Sequence, residues 1–157
     1  MERLWSIVLV LFGAGIALAE TGPGETPVQP REVSAAYLAA IQARDLDAAG
    51  ALFTRDSTIF ETGGEEGTWQ HYRDHHLGPE IDGIAAFSID SKKDPEVTTS
   101  RDGTLAVVTW PIEYTISLKD ERTIESRGTV TFVLARDEET YRIRHLHWSS
   151  RRKAATP

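Results

Sequence analysis

Between residues 104 and 118 the chain alternates. Ala106, Val108, Trp110, Ile112, Tyr114, Ile116 and Leu118 fall on one face, and Thr109, Glu113, Thr115 and Ser117 on the other. A period of two with one apolar face is the pattern of a half-buried strand. Similar stretches rich in β-branched and aromatic residues predict further strands near 84–98, 122–135 and 140–149. Asp102-Gly103 supplies a hairpin turn, and Lys119-Asp120-Glu121 and Asp137-Glu138-Glu139 supply the two that follow. Pro111 has no N–H for a ladder, so it predicts a bulge or an edge within its strand.

Upstream the period changes. Val33, Tyr37, Ala40 and Ile41 recur at helical spacing and predict a helix over 31–44. Asp45 reads as the N-cap of a short second helix whose apolar face is Leu46, Ala49, Leu52 and Phe53. Residues 56–62 predict a strand, ended by a loop at Gly63, Gly64 and Gly67. A third helix is expected over 68–78, with Thr68 as N-cap and Gly78-Pro79 as its stop. Helices laid on one face of a curved antiparallel sheet make an α+β domain with a concave pocket, the default place for a ligand.

The first residues have a different character. Met1-Glu2-Arg3 precedes an apolar run from Leu4 to Leu18, and Ala17-Leu18-Ala19 places small residues where a signal peptidase cuts. The run is shorter than the roughly 20 residues needed to cross a bilayer core. Residues 1–19 are therefore expected to be a cleaved export signal and 20–30 a flexible leader rich in Pro, Gly and Thr. One domain is expected over 31–151, with a C-terminal tail at 152–157. The mature protein is expected in the periplasm or outside the cell, with no membrane attachment after cleavage.

Composition narrows the chemistry. The net charge of −7 argues against binding to a phosphate backbone, and Arg151-Arg152-Lys153 is too short a basic run to reverse that. There is no cysteine, which excludes disulfides, thiolate metal sites and a cysteine nucleophile. The glycines at 63, 64 and 67 lack phosphate-loop spacing, and no Gly-x-Ser-x-Gly elbow occurs.

The element order resembles the nuclear transport factor 2-like fold, the cone-shaped α+β domain shared by ketosteroid isomerases and SnoaL-like polyketide cyclases. Tyr37-Leu38-Ala39-Ala40-Ile41 and Arg44-Asp45-Leu46-Asp47-Ala48-Ala49 carry the likeness in the helices. Phe60-Glu61, Glu66-Gly67-Thr68-Trp69 and His75-His76-Leu77-Gly78-Pro79-Glu80 resemble a group of exported bacterial relatives, as does Ile143 to Arg151. The resemblance implies three N-terminal helices packed on a curved antiparallel sheet, and a homodimer formed through that sheet. It does not imply one reaction, because the fold hosts many. Tyr37 sits in the helix that carries the isomerases' tyrosine, but their two acids have no residue-by-residue match here.

Five histidines form two clusters. His71 and His75 are four apart on the third helix, beside His76, and His145 and His147 share a strand face. In the implied fold both clusters border the pocket, with Glu61 at the end of the preceding strand. Imidazoles and a carboxylate are a ligand set for Zn²⁺ or Cu²⁺, and the candidate set is Glu61, His71, His75 and His147, with His76 an alternative to His71. The same groups also suit metal-free acid–base work, with His75 and Glu61 as candidate catalytic residues. Trp69, Tyr72, His76 and His145 are the candidate pocket lining. Glu113 and Glu125 are expected to pair with Arg127 across strands. Three readings stand open: a small-molecule or metal binder, an isomerase, lyase or hydrolase, and a dimeric interaction module without chemistry.

Overall fold

The computed structural model describes residues 28–154. The expected signal segment, most of the leader and the end of the tail lie outside the described residues. α1 (Pro30–Ala43) begins with Pro30 inside its first turn, where a missing N–H costs nothing. It ends at Arg44, whose φ of 60° is left-handed. α2 is Leu46–Gly50, and the Asp45 side chain accepts from the Ala48 N–H at 2.9 Å, as its N-cap role requires. The helix is shorter than its pattern predicts. Leu52 lies beyond it, and Phe53 opens β1 (Phe53–Glu61).

β2 (Gly64–Gly67) replaces the loop expected there and pairs antiparallel with β1. α3 (Trp69–Tyr72) follows with Thr68 as its N-cap. The chain then widens into a π-helical turn, Arg73–Leu77, and continues as α4 (Gly78–Ile81). Gly78-Pro79 was expected to stop this helix and does not. The Gly78 N–H reaches the Arg73 carbonyl, and Pro79 occupies the first turn of the last segment, where its ring is tolerated. A side chain at residue 78 would not fit, since its Cβ would lie 2.5 Å from the Arg73 oxygen.

The strand predicted over 84–98 is two strands. β3 (Ile84–Asp90) and β4 (Glu96–Thr99) pair with opposite halves of β5 (Leu105–Leu118) and are separated by a charged segment ending in Pro95. Pro111 falls in the interval between them, where β5 has β6 on one side and no strand on the other. This is the local edge its chemistry calls for. β6 (Thr123–Asp137) and β7 (Thr140–Arg152) complete the sheet, whose order is β2-β1-β7-β6-β5-β3. One pairing is not antiparallel: β1 and β7 run parallel, with Ile59 opposite Leu146 and Glu61 opposite Trp148. At the Asp102-Gly103 turn Gly103 takes a φ of 70°, and the Asp102 carboxylate accepts from Ser100 and Thr104.

The helices cover the concave face. Val33, Tyr37, Leu38 and Ile41 of α1 meet Ile59, Val108, Val130, Phe132, Leu134 and Leu146 of the sheet in one core. Tyr37 stands edge-on to Phe53, Trp69 and Phe132 with ring centroids 5.6, 6.3 and 5.6 Å away. Trp69 stacks on Phe53 at 4.8 Å. Ser57, fully buried on β1, accepts the backbone N–H of Trp69 at 3.0 Å and so ties the start of α3 to the sheet. Replacing Ser57 by Ala leaves that N–H buried without a partner. Urea unfolding is expected to show a loss of about 1–3 kcal/mol, against a change within about 0.5 kcal/mol for the exposed Ser91→Ala.

Candidate acid–base site at the mouth of the cone

Alternation along β1 sends Ser57, Ile59 and Glu61 to the concave side. Ser57 and Ile59 are sealed in the core, while Glu61, one step further, reaches the mouth of the cone and is partly exposed. The α3–α4 rod lies across this mouth. Tyr72 donates its hydroxyl to Glu61 Oε2 at 3.0 Å. His76, on the π-helical turn, places Nε2 3.6 Å from the same Glu61 oxygen and 3.4 Å from Glu80 Oε1. Its Nδ1 bonds Glu66 Oε2 of β2 at 2.8 Å, which puts a proton on Nδ1 in either charge state.

Below this cluster is an apolar cavity of about 70 Å³. Ile41, Leu77, Ile84, Phe87, Ile116 and Trp148 supply its apolar wall, and Tyr37, Glu61, Tyr72, Glu80 and Tyr114 its polar points. Above it, sharing Glu61, Glu80, Tyr114 and Ile116, opens a vestibule of about 610 Å³. Glu61, Glu66, His76 and Glu80 line one side of the vestibule, and Arg151 and Arg152 of β7 also face it. Tyr37 is 1% exposed and lines the inner cavity, yet its hydroxyl has no hydrogen-bond partner among the described residues. The Glu61 charge acts on this hydroxyl across the cavity, without a hydrogen bond between the two.

Burial raises the Glu61 pKa above the ordinary glutamate range, and Glu80 and Glu66 add to this, while the Tyr72 bond and His76 pull the other way. Burial pulls the His76 pKa down, but the bond to Glu66 and the charges of Glu80 and Glu61 outweigh it, so the net shift is upward. Burial above all raises Tyr37 and Tyr72 far beyond the ordinary tyrosine range, so both remain proton donors. The arrangement can hold a proton on a carboxyl or an imidazole at the edge of an apolar space and hand it between them.

The expected clusters do not converge. His145 and His147 lie on the outer face of β7, alternating with buried Leu146 and Trp148. His145 bonds Thr58 at 2.8 Å there and lies against Phe60, so it is not part of the pocket lining. His71 and His75 face each other, ring centroids 4.6 Å apart, and are exposed on the rod. The set Glu61, His71, His75 and His147 is therefore not assembled. No group of three or more His, Asp or Glu side chains with metal-holding geometry occurs among the described residues. The π-helical turn changes the angular phase of the rod, and it is His76 that faces Glu61. Trp69 packs in the core and does not line the cavity, whereas Tyr72 does. Pattern reading passed over Tyr37, Glu66 and Glu80 as site residues. The His76 to Glu80 spacing of four was a visible signal for one of them.

Both shifted groups hold their protons more tightly folded than unfolded. Stability is therefore lost as pH rises through the Glu61 pKa, above the ordinary 4.5, and then through that of His76, above 6.5. An imidazole titration followed by NMR is expected to place His76 above 6.5. Glu66→Gln should bring it down, and should flatten the fall of the urea midpoint with rising pH in the same interval. An unchanged His76 titration in that variant counts against the bond's role.

The SnoaL-like domain family pattern matches residues 31–152. Among solved structures, the chain is similar to a nuclear transport factor 2-like superfamily protein from Salmonella enterica serovar Typhimurium. That match has 20% identity and a TM-score of 0.68, and covers 81% of this chain and 90% of the other. A ketosteroid isomerase-like protein from Erwinia carotovora atroseptica matches with 17% identity and a TM-score of 0.63, covering 80% and 92%. A nuclear transport factor 2-like protein of unknown function from Pseudomonas putida matches with 18% identity and a TM-score of 0.60, covering 76% and 82%. These likenesses establish the fold. No curated protein matches the sequence. With the match spanning nearly every element of the cone, the chain belongs to the SnoaL-like domain family, with the α+β nuclear transport factor 2-like fold.

Proposed function

We propose that this protein binds a small, mainly apolar carbonyl compound and moves a proton on it, as an isomerase or lyase. The observation that carries the reading is the pairing of Glu61 with Tyr37. A carboxylate of raised pKa and an unpartnered phenol face the same apolar cavity. Glu61 takes a proton from the carbon next to the carbonyl. The negative charge that develops on the carbonyl oxygen is met by the Tyr37 hydroxyl. Glu61 then returns the proton to a different carbon, or a hydroxyl group leaves as water with a proton from His76. Tyr72 holds the Glu61 carboxylate in place. The inner cavity takes only the reacting end of such a molecule, and the vestibule takes the rest. A structural neighbour described as ketosteroid isomerase-like is consistent with this chemistry.

The test is proton exchange. The full chain is incubated in D₂O with a panel of small cyclic ketones and enones, and deuterium uptake is read by mass spectrometry. Glu61→Gln is expected to slow exchange by about 10²–10⁴-fold, and Tyr37→Phe by about 10²–10³-fold. His75→Ala, on the exposed side of the rod, should leave it unchanged. Compounds that bind but do not exchange, or equal exchange in Glu61→Gln, would sink the enzyme reading and leave a binding protein.

In this reading the mature chain is exported and works as a homodimer. Phe60 and Val107 stand exposed on the outer face of the sheet, apolar surface that a second copy would cover. Light scattering at micromolar concentration checks the state, and a monomer mass would remove the pairing.

A further inference from the structure

The outer face of the sheet carries a second hollow, of about 450 Å³, between β5, β6, β7 and the segment joining β3 to β4. Cross-strand register lays two rows across it. Glu113, Arg127 and Arg151 form one, and Pro111, Thr129 and Ser149 the next. In a chain of net charge −7 this is a cationic place. Glu113 stands opposite Arg127, but it is held by Lys153 at 2.8 Å, so the expected cross-strand pair does not form. Lys92 is engaged by Asp90. Lys93, Arg127 and Arg151 all line the hollow, and none has a side-chain ion-pair or hydrogen-bond partner among the described residues.

Like charges directly opposite on neighbouring strands destabilise a sheet. Arg127 stands beside Arg151 on one side and opposite Glu113, itself bound by Lys153, on the other. The segment carrying Lys93 is tied down from two sides. The Trp110 indole donates to the Lys93 carbonyl at 3.0 Å, and Arg31 pairs with Asp94. The hollow therefore has fixed walls, unspent cations on two sides, and the Thr129 and Ser149 hydroxyls between them.

We propose that this groove binds a small soluble molecule through a phosphate-type dianion. The guanidinium forks of Arg127 and Arg151 grip its oxygens bidentately, Lys93 closes on the opposite side, and the hydroxyls donate from the floor. Three unspent cations match a dianion better than a single carboxylate. The groove is distinct from the Glu61 cavity, which lies on the concave side, although Ser150 and Arg151 border both the groove and the vestibule. On the outer face its rows lie past the Val107 and Phe60 rows that a second copy would cover, so pairing there leaves it open.

The test uses the full chain and inorganic phosphate at constant ionic strength, with chloride and acetate as comparison anions, read by ¹⁵N-resolved NMR. Phosphate is expected to give saturable shifts confined to the 127–129 and 149–151 stretches and to the Arg127 and Arg151 side-chain N–H groups. Arg127→Gln should weaken binding by about tenfold or more, while Arg101→Gln, on an exposed turn, should not. Phosphate should raise the Tm of the wild type and leave that of Arg127→Gln unchanged. Acetate binding as tightly as phosphate, equal losses in the two variants, or an equal rise in Tm with phosphate for wild type and Arg127→Gln would each overturn the proposal.

Discussion

β1 and β7 run parallel, and the register of that pair decides what faces the cone. It turns Ser57, Ile59 and Glu61 inward, and Thr58 and Phe60 outward against His145 and His147. A slip of one residue would exchange the two sets. Ser57 would then no longer hold the Trp69 N–H, and the rod that carries Tyr72 and His76 would lose its anchor. The inner position of Glu61 and the placement of its partners thus rest on one strand pairing. Antiparallel hairpins elsewhere in the sheet have their register limited by tight turns. This pair joins the start of the domain to its end, and packing must settle it.

The site combines features that ordinarily exclude each other. Three carboxylates surround one imidazole at the rim of an apolar space. Burial first, and then Glu80 and Glu66, hold a proton on Glu61 above its ordinary range, while the bond to Glu66 and the surrounding carboxylates hold one on His76 against the effect of its own burial. That arrangement costs stability as pH rises through the raised Glu61 and then the raised His76 value, and shifted groups of this kind gather where acid–base work is done. The unpartnered Tyr37 hydroxyl fits the same account. The residue borders the cavity, and its hydroxyl makes no hydrogen bond among the described residues, which leaves the O–H available there. On the other side of the sheet, the unspent arginines repeat the principle with the opposite sign.

Local pattern read the fold well wherever local chemistry governs it. The alternation of β5, the Asp45 and Thr68 caps, the Asp102-Gly103 turn and the helical spacing of Val33, Tyr37 and Ile41 are all decided within a few residues. The family likeness in the helices and around His76 added the cone. The misses are also instructive. The end of α2, the continuation of the rod through Gly78-Pro79, and the break between β3 and β4 each turn on a neighbour distant in sequence or on a π-helical turn with no simple periodic signature.

Local chemistry along the chain sets the element types, the acidic and cysteine-free character, and the supply of histidine, glutamate and tyrosine around the third helix. Packing between distant segments chooses which of them meet. His147 is two residues from His145 and both are close in sequence to Trp148, yet they look outward while Trp148 lines the cavity. His75 and His76 are adjacent, and one is solvated while the other bonds Glu66. Local periodicity restricts a residue to one side of its own helix or strand. Which side becomes the interior depends on register between segments far apart in the chain, and on the phase of a helix that a single wide turn can shift.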